Sequence, residues 1–297
     1  MKRTTGFPPL PSAPAAARWN LHQTPEGFNY YISLPPRVEP HTGLLVSVHG
    51  ISRNAREHLA LLADSPLGVG RVILCPLFSE HQFPGYQRLG LGSRSKPLRP
   101  DLALHRMLEH AALIYGINSL RFDLFGFSGG AQFAHRYALL HPHRLGRLAL
   151  ASAGCYTFPD HQQDFPLGLG QGRRQPPLQW LLEARLCIPT AVFVGALDNQ
   201  RDESLRKGQR IDAQQGRHRI ERGQRWVSAT RRAIAVRGLT TPTTFTLLAG
   251  CGHDFSQCVT IGRLDEELLS FLSRPLNPGV LAPASTTSSR EVLQFMG

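Results

Sequence analysis

The sequence predicts a single α/β domain, a mostly parallel central β-sheet flanked by helices, with a small lid-like insertion. Three observations carry this expectation. Four short apolar runs, GLLVSVHG (43–50), RVILCPLF (71–78), LGRLALASAG (145–154) and PTAVFVG (189–195), end at turn residues, as buried strands of a parallel sheet do. Between them lie stretches whose apolar residues recur at helical spacing, and strands alternating with helices imply crossover connections. A fifth run, RFDLFGFSGGAQFAHRYALL (121–140), changes from strand-like to helical at GFSGG. With 297 residues, 41% of them hydrophobic, the chain can bury one full core.

Taken in order, residues 1–27 are Pro-rich and read as a flexible arm. Their basic start is followed by no continuous apolar segment of the kind a secretory signal needs. FNYYISLPP (28–36) alternates and stops at its prolines, which predicts an antiparallel edge strand. GLLVSVHG is a central strand, SRNAREHLALLAD the helix after it, and RVILCPLF the next strand. The Pro, Gly and Arg-rich stretch from Ser79 to Pro100 is a long loop. Asp101 is expected to cap a helix running to Tyr115, with Leu104, Leu108, Ala111, Ala112 and Tyr115 on one face. HRMLEH (105–110) within it lacks the spacing of a metalloprotease helix and reads as a solvated face.

After the GFSGG strand and helix comes LGRLALASAG, then an insertion at 157–188 with too much Pro, Gly and Gln for a sheet element, read as a lid. PTAVFVG resumes the sheet and breaks at GALDNQRD. Residues 201–237 are basic, eleven Arg or Lys against four Asp or Glu, with Trp226, Ala229, Thr230, Ala233 and Ile234 as a helical apolar stripe. TTFTLLAG (243–250) is the last strand, CGHDF a turn, and a closing helix is expected from Ile261 to Leu272. The tail, 274–297, is Pro, Ser and Thr-rich, so the domain spans 28–273.

The formal net charge of +12 is almost all arginine. It suits an anionic small-molecule substrate; with no stacking aromatic platform or known reading motif, no specific nucleic-acid partner is expected. No segment is long and apolar enough to cross a bilayer. The cysteine number, five, is odd, and Cys75, Cys155 and Cys187 fall in or beside core strands, which points to buried free thiols and a cytoplasmic location. Cys251 and Cys258 flank His253 without a second His/Cys cluster, so neither metal nor cofactor is expected. Nothing in the chain predicts an oligomeric state.

The chemistry concentrates at GFSGG, which fits G-x-S-x-G. A serine on a sharp strand-to-helix turn is pushed outward, and the amide after it, Gly129, sits at a helix N-terminus where developing negative charge is stabilised. Taken alone, the same five residues also describe a glycine-rich turn with a capping serine. A serine hydroxyl needs a base to take its proton and a carboxylate to orient that base. His253 follows the last core strand in a glycine-flanked turn. Asp198 lies three residues past Gly195; Asp202, one helical turn further on, is the alternative acid, and Asp198 is favoured because it is nearer the strand end. A second amide for an oxyanion should come from the loop VHGISRN, where Ile51 is the candidate.

Ser128, then Asp198, then His253, each after a core strand, resembles the α/β-hydrolase superfamily. The match lies in the HG turn at 49 and 50, GFSGG, VGALD and GCGHDF, and covers about residues 28 to 273. The resemblance implies Ser128 as nucleophile, His253 as general base and acid, Asp198 as its orienting acid, and the amides of Ile51 and Gly129 as oxyanion hole. VHG followed by SRNA, with a compact lid, is similar to bacterial serine esterases and polyester-depolymerase-like hydrolases. The loop reads HGIS and not HGGG, unlike lipases with the longer glycine loop, and the elbow serine is unlike the dehalogenase branch, which uses aspartate. The implied function is cleavage of an ester or related acyl bond, with Phe127, Phe158 and Leu167 expected at the substrate. Two other readings stay open: a hydrolase-fold binding protein without catalysis, and a nucleic-acid or membrane-surface binder using segment 201–237.

Overall fold

The apolar runs form the middle of one eight-stranded sheet. The computed structural model describes residues 19–91, 98–171 and 178–275; the expected arm as far as residue 18, residues 172–177 of the expected lid, and the tail from 276 lie outside the described residues. The strands are β1 (Trp19–Gln23), β2 (Asn29–Ser33), β3 (Gly43–Val48), β4 (Arg71–Leu77), β5 (Phe122–Phe127), β6 (Leu145–Ala151), β7 (Thr190–Gly195) and β8 (Thr243–Leu248). Their order is β1-β2-β4-β3-β5-β6-β7-β8. β1 and β2 are antiparallel at one edge, and β4, β3, β5, β6, β7 and β8 run parallel. All six residues of β5 and of β7 are buried, because a parallel sheet is covered on both faces.

The helices are α1 (Ala55–Ala63), α2 (Pro66–Gly70), α3 (Pro100–Tyr115), α4 (Gly129–Leu140), α5 (Leu182–Leu186), α6 (Gln209–Gln215), α7 (Arg219–Ala235), α8 (Phe255–Thr260) and α9 (Leu264–Ser273). Strand side chains alternate between two cores, as a period of two requires. Leu44, Val46 and Val48 pack with Leu104, Leu108, Phe133, Tyr137 and Trp226 of α3, α4 and α7. Leu45 packs with Leu59, Leu62, Phe255, Leu268 and Phe271 of α1, α8 and α9 on the other face.

Several expectations need correction. Residues 19–23, placed in the arm, are a strand: β1 pairs along its length with β2. Its five residues show too little alternation to be read as one. Asp101 lies inside the first turn of α3, whose N-cap is Arg99, because Pro100 takes the first helical position. The Asp101 carboxylate is fully buried and accepts from Arg99 and from His141 Nε2 at 2.8 Å. HRMLEH is only in part a solvated face: Arg106 and Glu109 are exposed and pair with each other, whereas Met107 and Leu108 are buried and His105 and His110 bond Tyr137 and Tyr30. The closing helix is α9, which starts at Leu264, and a short helix not expected from the sequence, α8, precedes it; the Asp254 side chain caps α8 by accepting from Gln257 N–H at 2.8 Å.

The basic segment is not one cationic face. Arg219 and Arg222 are buried, and they pair with Asp198, Asp202 and Asp212. Helix α7 therefore spends part of the segment's charge inside the fold. The start of the insertion, 157–171, likewise packs down, burying Phe158, Phe165, Leu167 and Leu169. All five cysteines are free thiols, four of them buried. Among the described residues no helix is long and apolar enough to cross a membrane.

Candidate active site

GFSGG is a turn that only its glycines permit. Ser128 joins β5 to α4 at φ 53° and ψ −111°, a region that side-chain-bearing residues rarely adopt and that costs roughly 1–3 kcal/mol. Two backbone bonds hold it there. Ser128 N–H donates to Ala151 O at 2.7 Å, and Ser128 O accepts from Gln132 N–H at 3.1 Å. A Cβ on Gly126 would lie 2.3 Å from Gly130 O, and one on Gly130 would lie 2.0 Å from Val48 O. The start of α4 therefore crosses the end of β3 at backbone contact, with no room for a side chain.

Two more strand ends bring the remaining groups to this hydroxyl. A Cβ on Gly195 would meet Cys251 O and Gly252 O at 2.5 Å, so the turn after β7 lies directly against the turn after β8. Leu197 N–H donates to Cys251 O at 2.9 Å and Ala196 N–H to Leu248 O at 2.8 Å, which fixes the two turns together. His253 then stands with Nε2 2.9 Å from Ser128 Oγ and Nδ1 2.8 Å from Asp198 Oδ2. A carboxylate only accepts, so Nδ1 carries the proton and Nε2 is free to accept from the hydroxyl. The ring of Phe127 stacks under the imidazole, centroids 5.3 Å apart and planes within 25°.

Asp198 is buried, and its second oxygen accepts from Arg219 Nη1 at 3.0 Å. Arg219 also binds Asp202 at 2.5 and 3.1 Å and Ser204 Oγ at 2.6 Å. Asp202 thus faces the arginine, with Asp198 between that cation and the histidine. The hydrogen bond from Arg219 holds the Asp202 carboxyl well below the usual carboxylate range.

On the other side, His49 ends β3 inside the fold. Its Nε2 accepts from Phe78 N–H at 3.0 Å, so its Nδ1–H donates to Gly50 O at 2.7 Å. Burial lowers its pKa to about 4, and it stays neutral. Tyr86, in the 3-10 turn Tyr86–Arg88, donates its hydroxyl to His49 O at 2.7 Å. A Cβ on Gly129 would fall 2.7 Å from that hydroxyl and 2.9 Å from Ile51 Cγ2, so Ile51, Gly129 and Tyr86 border one small space beside Ser128. Neither the Ile51 nor the Gly129 amide has an acceptor among the described residues. Two free amides beside a serine hydroxyl that is bonded through an imidazole to a buried carboxylate can accommodate a carbonyl under attack.

Of the predicted site residues, the fold brings Ser128, His253, Asp198, Ile51, Gly129 and Phe127 together. Asp202 is displaced onto Arg219. Phe158 is buried in the main core cluster, and Leu167 packs with Cys155 and Ile211. Sequence reasoning missed Arg219 and Tyr86. Arg219 is one of eleven cations in its segment, and Tyr86 sits in a loop without periodicity, so neither carried a local signal.

No family model matches this chain, and no curated protein does. Solved structures do. Poly(aspartic acid) hydrolase-1 from Sphingomonas sp. KT-1 superposes with a TM-score of 0.67 at 21% identity, covering 83% of this chain and 92% of that one. The poly(3-hydroxybutyrate) depolymerase LpqC from Bordetella parapertussis gives 0.67 at 24% identity, over 85% and 86%. An S-formylglutathione hydrolase from Agrobacterium tumefaciens gives 0.54 at 16% identity, over 87% and 95%. The strand order, the glycine-walled turn at Ser128 and these superpositions agree on one conclusion, that the chain has the α/β-hydrolase fold.

Proposed function

We propose that this protein is a serine hydrolase that cleaves a carboxylic ester or related acyl bond through an acyl-enzyme on Ser128. The observation that carries the reading is the continuous chain Ser128–His253–Asp198, with contacts of 2.9 and 2.8 Å. His253 takes the hydroxyl proton as Oγ attacks the acyl carbon, and Asp198 keeps the ring oriented and stabilises the imidazolium. The Ile51 and Gly129 amides receive the oxyanion, which gains most in a water-poor setting. The imidazolium then protonates the leaving group. In the second half the now neutral imidazole takes a proton from the acceptor, water in the hydrolytic case, and returns it to Ser128 Oγ as the acyl group leaves.

The domain limits that accompany this reading are 28–273, extended by β1 to residue 19, with 157–188 as the covering segment. The superposing proteins are named for acting on a polyamide, a polyester and a thioester, so those three bonds define the first substrate panel. A fluorophosphonate probe tests the reading, with the adduct mapped by mass spectrometry. Labelling of Ser128 that Ser128→Ala abolishes and His253→Ala suppresses is expected. A folded protein that takes no label would move the weight to a binding role.

A further inference from the structure

A second feature lies away from Ser128, where α4, α5 and α7 meet under the insertion. Arg185 of α5 is only 3% exposed. Its Nη2 has no hydrogen-bond partner, and no carboxylate among the described residues pairs with it. The other three buried arginines among the described residues have their guanidinium groups engaged. Arg136 donates to Thr157 Oγ1 and to Gln87 O, while Arg219 and Arg222 hold aspartates. The guanidinium of Arg185 lies over the Trp226 ring, 5.6 Å from its centroid, which engages its face and leaves Nη2 unpaired. Burial lowers its pKa to about 10, so it remains a cation at neutral pH. An unpaired buried charge is costly by several kcal/mol on general grounds.

Arg185 lines a cavity of ≈ 20 Å³, the size of one small particle. Most of its wall is apolar, with Leu139, Phe158, Leu182 and Leu186. The polar lining is largely committed. His135 donates Nδ1–H to Ala131 O and accepts from Thr157 N–H at Nε2, and Thr157 Oγ1 accepts from Arg136 and donates to Pro166 O. That leaves the Thr230 hydroxyl and Arg185. A buried water makes about three hydrogen bonds, and such a wall supplies too few. A small anion can accept from Arg185 Nη2 and the Thr230 hydroxyl and, unlike water, neutralises the guanidinium.

We propose that this cavity is a binding site for one small inorganic anion of the halide class, held by Arg185. The site goes beyond the hydrolase reading and stands without it. Thr157, Phe158 and Pro159 form one of its walls, so a bound anion braces the beginning of the insertion against α4 and α7.

The test uses bromide. Crystals of the full chain in bromide, measured at the bromine absorption edge, should show an anomalous peak within hydrogen-bonding distance of Arg185 Nη2. Thermal unfolding at constant ionic strength should show a midpoint that rises saturably as chloride or bromide replaces glutamate, an anion too large for the cavity. Arg185→Met should lose that rise. No anomalous peak at Arg185, or a halide response unchanged in Arg185→Met, would overturn the proposal. If the methionine variant does not fold, the anomalous peak in the unaltered protein decides alone.

Discussion

Arg219 is the residue whose role is least visible from its own surroundings in the chain and most exposed to experiment. It sits with its guanidinium between Asp198 and Asp202, fully inside the fold. Removing it leaves the Asp198 carboxylate buried with His253 as its remaining partner and takes away a cation that opposes the imidazolium. Arg219→Met should therefore move the acid limb of the kcat/KM profile to higher pH. It should also lower kcat/KM by about tenfold, ~1.4 kcal/mol of transition-state stabilisation. Asp202→Asn removes a partly solvated charge and should move the limb less. An Arg219→Met profile that keeps its limb in place would show that the arginine only packs. The same comparison explains what was legible at this scale. Ser128, Asp198 and His253 each follow a strand run directly, so chain position betrays them, whereas Arg219 reaches Asp198 only because α7 begins beside β7.

At the scale of elements, the contact between α4 and β3 governs the site. The helix starts so close to the strand that Gly130 has Val48 O where a Cβ would be. Gly130→Ala must push the helix outward and take Ser128 with it. The expected outcome is a loss of more than ~3 kcal/mol in urea unfolding, or failure to fold. An alanine variant of near-native stability would contradict the close crossing. The strand runs of the parallel region were legible because burial on both faces makes them continuously apolar. β1 was not, because an edge strand is held by backbone pairing to β2 and carries no such run. The start of α3 moved for a local reason, Pro100 at the first helical position, and Asp101 then turned inward to His141.

Over the whole molecule, histidines kept neutral by burial set the response to acid. Burial lowers His49 and His105 to about 4, and His58 and His135 well below the ordinary value. The unfolded chain binds protons at these residues near pH 6.5 and the folded chain does not, so stability falls as pH drops from about 6.5 toward 4. His49 alone should account for a loss on the order of 2 kcal/mol between pH 7.5 and pH 5. Denaturant unfolding at the two pH values measures it, and equal stability at both would mean that these rings protonate in the folded state. The net charge of +12 suggested an anionic substrate, but which of the cations are paired inside the fold could not be read from composition. The fold turns part of the segment at 201–237 inward onto Asp198, Asp202 and Asp212.

The central claim is a covalent acyl group on one serine, and trapping that intermediate tests it most directly. The protein is mixed with an activated short-chain acyl ester, quenched in acid within the first turnovers, and weighed intact and after digestion. The account predicts a mass increase of one acyl group on the peptide containing Ser128, absent from Ser128→Ala. Ester hydrolysis that persists in Ser128→Ala, with no acyl group on the unaltered protein, would contradict it.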